Sequence, residues 1–493
     1  MAKVSAMDIY KLLPKTNCKK CGEPSCMAFA TKLQNKEIDI DKCPILNTPK
    51  FEENRKKLIE MISPPVKEVW FGNDKKKCVM GGDEVMYRFE LAFFNPTPIG
   101  IDIADTLPDE EIKNRAKYIE DFTFERTGEK LKLDFIAIRN ASNDAEKLKN
   151  AIKIVQENTE MPIAICSLNP NNIKEALDVV KSKPLIYAAT EDNLDEMIKV
   201  LKEAKKNGKN FALVLSSNNV KTLKQMAAKC LANGIEDLVF DPHTYPENIA
   251  DTIDNFVMIR RSAIERGDKY LGFPILGLPI NAYYYVKNKE NLIESFIPDK
   301  EKAAGIYEAT IANVLMNRYA DALIMHGTEI WELMPVLTLR QAIYTDPRKP
   351  QAVEPGLYPI GNPDENSPVI MTTNFSLTYY TVVGDFEKDN VTCWLLVLDT
   401  GGRAVDVSVA GGQYCGENAK KLIEETKIEE KVNHRILILP ALAASTRGDI
   451  EDKTGWTCVV GTRDSSQVGE FLRKNWERIL NEWKEKNNLN NKQ

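Results

Sequence analysis

Between Ile99 and Gln341 the chain repeats one pattern eight times: a short apolar run of strand character, then a longer stretch with helical spacing. The strand-like runs are 99–104, 133–138, 163–166, 185–188, 211–215, 238–240, 273–278 and 322–325. The helical stretches between and after them are 109–127, 144–157, 172–182, 193–207, 220–233, 246–266, 299–318 and 328–341. Eight such units in roughly 250 residues are what a closed (β/α)8 TIM barrel requires. An open doubly wound sheet would show the same alternation and stands as the alternative.

The repeat leaves two flanks, and 493 residues are too many for one core. Ser63-Pro64-Pro65 disfavours helix and stiffens the chain, so a first domain covers 1–63, with a short amphipathic piece at 7–13 and a helix at 50–61. The barrel domain then covers 64–341 and opens with a hairpin whose arms are 66–71 and 85–94. Six prolines between Pro347 and Pro368 mark 342–368 as a linker and hinge. A second alternation fills 369–493: strands at 369–372, 379–383, 393–398, 404–409, 435–439 and 458–460, and helices at 416–427 and 467–484. The fold class is α/β, with a Rossmann-like C-terminal domain and a polar tail from Asn487.

Four of the ten cysteines, Cys18, Cys21, Cys26 and Cys43, stand within 28 residues as C-x2-C-x4-C-x16-C. Thiolates are soft ligands for zinc or for an iron–sulfur cluster. Zinc ribbons use two close pairs, whereas here a close trio is joined by one distant Cys43-Pro44, the three-plus-one arrangement of ferredoxin-type [4Fe-4S] ligation. Zinc is the alternative. Such a cluster would also supply the constraint that a first domain of so few apolar residues lacks. The other six cysteines show no pairing cadence and read as buried thiols.

Bulk properties narrow the function classes. A net charge of −6 argues against nucleic acid. No apolar stretch reaches the ~18 residues that span a bilayer, and the opening lacks a signal-peptide core, so a cytoplasmic protein without membrane contact is expected. Only three histidines occur, so acid–base chemistry falls mostly to carboxylates. Asp241 and His243 follow the sixth strand and His326 the eighth, on the face where barrels keep their sites, though capping roles serve equally. His434 opens a strand and reads as solvated.

The C-terminal loops have small hydroxyl, amide and glycine residues at expected strand ends. They are Thr373-Asn374-Phe375-Ser376-Leu377-Thr378, Gly411-Gly412, Ala441-Leu442 and Gly461-Thr462. Open α/β sheets bind ligands there. No G-x-G-x-x-G or Walker motif accompanies them, so a nucleotide is not supported; simple tight turns are the bland reading.

Three long stretches, TNCKKCGEPSCMAFATKL, IYTDPRKPQAVEPGLYPIGNPDENSPV and TTNFSLTYYTVVGD, resemble the large (gamma) subunits of the corrinoid iron–sulfur protein of the acetyl-CoA decarbonylase/synthase system. The resemblance runs the length of the chain. It implies a small [4Fe-4S] domain, a TIM barrel and a Rossmann-like corrinoid domain. It implies cluster ligands Cys18, Cys21, Cys26 and Cys43, and a corrinoid (cobamide) over Thr373 to Thr378. Gly411, Gly412, Ala441, Leu442, Gly461 and Thr462 are candidate neighbours, and Thr345 in the linker motif is another.

The implied activity is that of a methyltransferase component, a 5-methyltetrahydropterin:corrinoid/iron-sulfur protein Co-methyltransferase. Cob(I)amide accepts a methyl group from a sarcinapterin- or folate-type methyltetrahydropterin and passes it to acetyl-CoA synthase, or the reverse. The cluster returns cob(II)amide to cob(I)amide. Implied partners are a small (delta) subunit in a heterodimer, the acetyl-CoA synthase subunit, and the methylpterin or its methyltransferase; the barrel is then chiefly an interface, with Tyr283 to Tyr285 a candidate patch.

Cobalamin methyltransferases often ligate cobalt through a D-x-H-x-x-G histidine. Asp241-Pro242-His243-Thr244-Tyr245-Pro246 has proline in place of the glycine and lies in the barrel, so a base-off corrinoid without a protein histidine is expected. The rivals are an iron–sulfur electron-transfer subunit without corrinoid, a barrel that itself binds methylpterin through groups such as Asp102 and Asn140, and a scaffold that docks a partner.

Overall fold

The computed structural model describes residues 5–35, 37–289 and 297–490. The chain divides into two compact units, Met1–Phe124 with Leu131–Tyr344, and Glu125–Lys130 with Thr345–Gln493.

In the first unit, Ser5 opens helix Ala6–Leu12 through a reciprocal capping box with Asp8, and Ser25 caps helix Cys26–Gln34. With helix Glu52–Ile62 these surround a small core of Ile9, Phe29, Leu33, Leu46 and Leu58.

The same unit contains strands β1 (Ile99–Ala104), β2 (Phe135–Arg139), β3 (Ile163–Cys166), β4 (Leu185–Ala189), β5 (Ala212–Ser216), β6 (Leu238–Asp241), β7 (Leu276–Gly277) and β8 (Ala322–Met325). They are bonded in the order β6-β5-β4-β3-β2-β1-β8-β7, all parallel. A parallel bridge from Phe240 to Ile275 brings β6 beside the residue preceding β7. The ring is closed, which decides for the barrel over the open sheet.

Strand residues alternate between two layers, as the pleat dictates. Ile99, Ile101 and Ile103 pack under the helices, whereas Phe135, Ala137, Ala164, Leu185, Val214 and Val239 fill the interior. Gly100 is required beside that filling, because a Cβ there would lie 2.2 Å from the Phe135 ring. Side chains of Asp144, Asn169, Asn219 and Asp299 cap the helices that follow β2, β3, β5 and β7.

The amino end of the barrel is plugged by an antiparallel hairpin, Val69–Gly72 with Lys77–Met80, whose Val69, Phe71 and Met80 join the interior core. The expected second arm at 85–94 forms no strand. Asn73 Oδ1 accepts from the amides of Lys75 and Lys76, so the chain turns at once and the partner arm comes earlier. A second hairpin, Thr123–Arg126 with Glu129–Lys132, replaces the end of the helix expected to reach 127; Thr127 and Gly128 both have positive φ, the backbone of a tight hairpin turn. The helix itself stops at Asp121. Tyr283 to Tyr285 lie in an additional helix, Ile280–Asn288, and Tyr283 is buried.

The second unit contains β9 (Gly356–Ile360), β10 (Val369–Thr373), β11 (Cys393–Leu398), β12 (Ile436–Leu439) and β13 (Thr457–Val460). Their order is β9-β11-β10-β12-β13, with β9 antiparallel and the rest parallel. Successive residues of β10 enter different cores. Val369 and Met371 pack with Leu422 and Ile450 of helices Gly416–Thr426 and Arg447–Thr454. Ile370 packs with Phe386 and Val468 of helices Ser376–Lys388 and Val468–Asn490. Helices thus cover both faces, the doubly wound arrangement.

Two expected strands here are helices. Residues 379–383 lie within Ser376–Lys388, and 404–409 overlap Val405–Ala410. β-Branched and aromatic content reads as strand, but Tyr379, Val382, Val383 and Phe386 have helical spacing and pack together into one core. The proline-rich segment is not free chain throughout, since β9 lies in it as an edge strand, where Pro359 is tolerated. The last helix runs on to Asn490 rather than fraying at Asn487, and 491–493 lie outside the described residues.

Candidate functional site

Cys18, Cys21, Cys26 and Cys43 line one small recess, together with Leu13, Asn17 and Phe29. The loop that carries the first two is wound by left-handed residues, with φ of 58° at Lys15, 48° at Asn17, 60° at Lys19 and 88° at Gly22. Left-handed backbone in non-glycine residues costs energy and concentrates at functional sites. Asn17 Oδ1 accepts from the Cys26 amide at 2.8 Å, tying the loop to the start of helix Cys26–Gln34. The Lys20 amide and the Thr16 hydroxyl draw the Cys18 thiol below its ordinary range, whereas burial raises that of Cys43.

Among the described residues no three His, Cys, Asp or Glu side chains converge tightly enough for a single metal ion. Four soft donors lining one recess suit an iron–sulfur centre.

The C-terminal sheet offers a second site. Its strand order reverses between β10 and β12, and ligands of open α/β sheets bind at the carboxyl ends beside such a switch point. Thr373 ends β10, is fully buried, and its hydroxyl has no hydrogen-bond partner among the described residues. Around this edge three large apolar side chains are exposed: Leu377 at 58%, Val407 at 53% and Leu442 at 41%. Gly461 and Thr462 are tied to the same edge, because the Gly461 amide donates to the Leu439 carbonyl and the Ala441 amide to that of Thr462. Thr345 joins through Gln351, whose Nε2 donates to the Thr345 hydroxyl and whose carbonyl accepts from the Ser376 amide.

Not every expected residue is free to meet a ligand. Asn374 Oδ1 accepts from the Thr400 amide and hydroxyl and the Gly402 amide, each at 3.0 Å, while its Nδ2 donates to Asp399. It staples the loop after β11. Phe375 is half-buried at the start of helix Ser376–Lys388, where Ser376 is buried and Thr378 half-buried. Gly411 and Gly412 do not end a strand; they terminate helix Val405–Ala410, with Gly412 at φ 74°. Sequence reasoning passed over Val407, since a strand reading hid the helix that presents it.

His434 is buried rather than solvated. It lies just before β12, at the opposite end of that strand from Ala441; its Nε2 donates to the Ser367 carbonyl at 3.0 Å and its Nδ1 accepts from the Ile436 amide. Burial lowers its pKa, so the ring is held neutral.

At the carboxyl mouth of the barrel, Asp102 of β1 meets His326, Arg139 and Arg115. Buried Glu308 accepts from the amides of His326 and Gly327, and burial beside Glu332 pushes its carboxyl well above the usual range. Asn140, expected with Asp102 as a ligand group, is engaged by Asp105, Ser167 and Asn172. A recess of about 1040 Å³, counted out to its open mouth, lies elsewhere on this end, lined by Tyr187, Asp241, His243, Tyr245, Tyr284 and Asn281 among others. No helix among the described residues is long and apolar enough to cross a membrane.

A family model described as "CO dehydrogenase/acetyl-CoA synthase delta subunit" matches residues 68–472, and one described as "Putative Fe-S cluster" matches 13–45. The acetyl-CoA decarbonylase/synthase complex subunit gamma of Methanocaldococcus jannaschii is 79% identical over 98% of this chain and 99% of its own. That of Methanothermobacter thermautotrophicus is 52% identical over 96% and 99%. A dihydropteroate synthase from Xanthomonas albilineans aligns with 51% of this chain and 94% of its own at 14% identity and a TM-score of 0.36, which adds nothing to the barrel already described. The gamma relatives align over the cysteine segment as well as the region of the delta-type model. On that full-length identity, the chain belongs to the gamma-subunit family of the acetyl-CoA decarbonylase/synthase complex.

Proposed function

We propose that this subunit is a methyl carrier, holding a corrinoid against the carboxyl edge of its C-terminal sheet and a [4Fe-4S] cluster on Cys18, Cys21, Cys26 and Cys43. The observation that carries the reading is the coincidence at one switch point of three exposed apolar side chains, Leu377, Val407 and Leu442, with the unpartnered hydroxyl of Thr373. A broad, mostly apolar ring with an amide fringe suits that combination. When bound, the corrinoid supplies a metal that takes up and releases a methyl group, and the cluster supplies the electron that restores its reduced form.

The chain's own residues do the rest. Leu377, Val407 and Leu442 cover apolar surface; the Thr373 hydroxyl meets a polar group; Asn374 fixes the neighbouring loop. His434 is unavailable as an axial ligand, because both ring nitrogens serve the backbone at the far end of β12. A corrinoid held at this edge would take no ligand from His434. The reaction is methyl exchange with a sarcinapterin- or folate-type methyltetrahydropterin, in the cytoplasm. The partners are a delta subunit and acetyl-CoA synthase, in either direction of flux.

An optical spectrum of the protein loaded with corrinoid and iron tests this. Corrinoid bands above a broad iron–sulfur absorption support the carrier. Iron–sulfur absorption with no corrinoid retained through gel filtration would favour an electron-transfer subunit instead.

A further inference from the structure

The turn that follows β11 is fixed more firmly than a connecting loop needs, and it ends on an arginine. Asn374 Oδ1 holds the Thr400 and Gly402 amides, Thr400 is 1% exposed, and Gly401 and Gly402 stand consecutively in the left-handed region, at φ 63° and 70°. A Cβ on Gly402 would lie 2.8 Å from that of Pro350, so the turn is packed closely against the preceding segment. Arg403 comes next. Its amide donates to the buried Thr400 hydroxyl at 3.3 Å, and the same oxygen lies 2.9 Å from its carbonyl. The backbone is therefore held at both ends of the residue while the side chain is exposed.

The Arg403 guanidinium makes no hydrogen bond or ion pair among the described residues. The nearest carboxylates in the sequence are occupied: Asp399 Oδ1 accepts from Asn374 Nδ2 and the Gly401 amide, and Asp406 Oδ1 from the Val407 amide. Elsewhere in the same unit Arg348 is paired with Asp346 and Arg447 with Glu451. Arg403 also stands in the right place. It follows the strand that pairs with β10, where Leu398 lies opposite Thr373, and it comes four residues before Val407, one of the three exposed apolar side chains. A cation with five donors thus belongs to the same strand edge as the apolar patch and the unpartnered hydroxyl.

We infer that Arg403 binds the phosphodiester in the nucleotide tail of the corrinoid and thereby selects complete cobamides over tailless corrinoids. The inference rests on the methyl-carrier reading. The amides around a corrinoid ring are neutral, and the tail phosphodiester is the anion of its periphery. With His434 withdrawn to the far end of β12, retention rests on apolar contact, the Thr373 hydroxyl and the group that meets that anion. A guanidinium matches a phosphate with two parallel N–H donors, which an amide or an ammonium cannot copy. A backbone fixed in advance loses little further entropy on binding, so more of the ion pair appears as affinity.

The test uses the full chain, loaded with iron and freed of corrinoid, and two probes read by equilibrium dialysis: cobalamin, which carries the tail, and cobinamide, which lacks it. The ratio of wild-type to variant affinity is taken for each probe, so differences between the probes themselves cancel. Arg403→Gln should weaken cobalamin binding about tenfold at low salt, as a lost charge-assisted hydrogen bond implies, and leave cobinamide within about twofold. Arg403→Lys should lose about threefold on cobalamin alone, since the charge stays and the fork goes. Arg463→Gln removes the same charge from an exposed position after β13 and should leave both probes within about twofold. The Arg403 side chain makes no bond to the rest of the described chain, so these variants fold as wild type does. Equal losses for both probes, an unchanged cobalamin affinity, or the same loss from Arg463→Gln would overturn the inference. Any of these, with both probes retained by wild type, leaves the carrier reading standing; wild type that retains neither probe overturns both.

Discussion

His326 holds its Nδ1 2.5 Å from Oδ1 of Asp102, a carboxylate only 2% exposed that also meets Arg139 Nε at 3.0 Å. Burial alone would raise the Asp102 carboxyl, but the His326 hydrogen bond and the charges of His326, Arg139 and Arg115 outweigh it and leave it below the usual range. A carboxylate depressed in the folded state adds stability that is complete above its unfolded pKa, about 4, and is lost as pH falls through the folded value. Asp102→Ala should lower the stability of the barrel by about 3 kcal/mol, the cost of leaving buried partners unpaired. It should also flatten the acid side of the stability profile. Chemical denaturation of both proteins from neutral pH into the acid range checks both expectations.

Thr373 should show opposite effects on folding and on cofactor affinity. An unpartnered buried hydroxyl is costly, so Thr373→Val, which keeps the shape, should stabilise the cofactor-free protein by about 1 kcal/mol. If the hydroxyl meets the corrinoid, the same change should weaken corrinoid retention about tenfold, as one lost hydrogen bond from an apolar site implies. Equilibrium dialysis and thermal unfolding on one preparation read both; a variant that gains stability with unchanged retention assigns the hydroxyl no part in binding.

The barrel was legible because its strands are buried on both sides and stand out as apolar runs; 99–104, 163–166 and 322–325 agree with β1, β3 and β8 to the residue. β7 was overdrawn, since the strand proper is Leu276 and Gly277, with a single bridge at Ile275 before it, although the whole run from Phe273 is apolar. In the C-terminal unit the same propensities misled: Tyr379-Tyr380-Thr381-Val382-Val383 has strand composition but helical spacing, and only the core it packs against selects between them. The grouping of Cys18, Cys21, Cys26 and Cys43 around one recess was visible in spacing alone, because the four stand close together in the sequence. The hydrogen bonds at the barrel mouth were not, as Tyr187, Ser216, Asp241 and His243 come from three strands and a loop that only closure of the sheet brings together.

His434 predicts a pH dependence of the C-terminal unit. Its pKa is lowered by burial, so the stability tied to the neutral ring is present above the unfolded value near 6.5 and declines as pH falls through the folded one. Urea unfolding followed by fluorescence of Trp476 and Trp483, whose rings flank His434, should show the midpoint falling below pH 6.5. His434→Gln should remove most of that slope. It should leave corrinoid retention and the cobalt(II) paramagnetic spectrum of the corrinoid-loaded protein unchanged, since both ring nitrogens are held by the backbone at the far end of β12; a new spectrum in the variant would contradict the reading of a corrinoid without a protein histidine ligand.

Cys21→Ala separates the two centres. The segment around Ile9, Phe29, Leu46 and Leu58 has a core too small to hold about 60 residues without help, so on the carrier reading the cluster is a structural as well as a redox element. Removing one ligand should lower bound iron severalfold and strip hydrogen-exchange protection from helix Cys26–Gln34, while the amides of β1 to β6 keep theirs, because the barrel has its own closed core. Methyl uptake by protein reduced beforehand should persist near the wild-type rate, whereas recovery after oxidation should fail, since the electron source is gone. If the variant recovers at the wild-type rate with a chemical donor excluded, the electron reaches the corrinoid by a route that bypasses Cys18, Cys21, Cys26 and Cys43. In that case the four thiolates hold the first 60 or so residues together and have no part in reactivation.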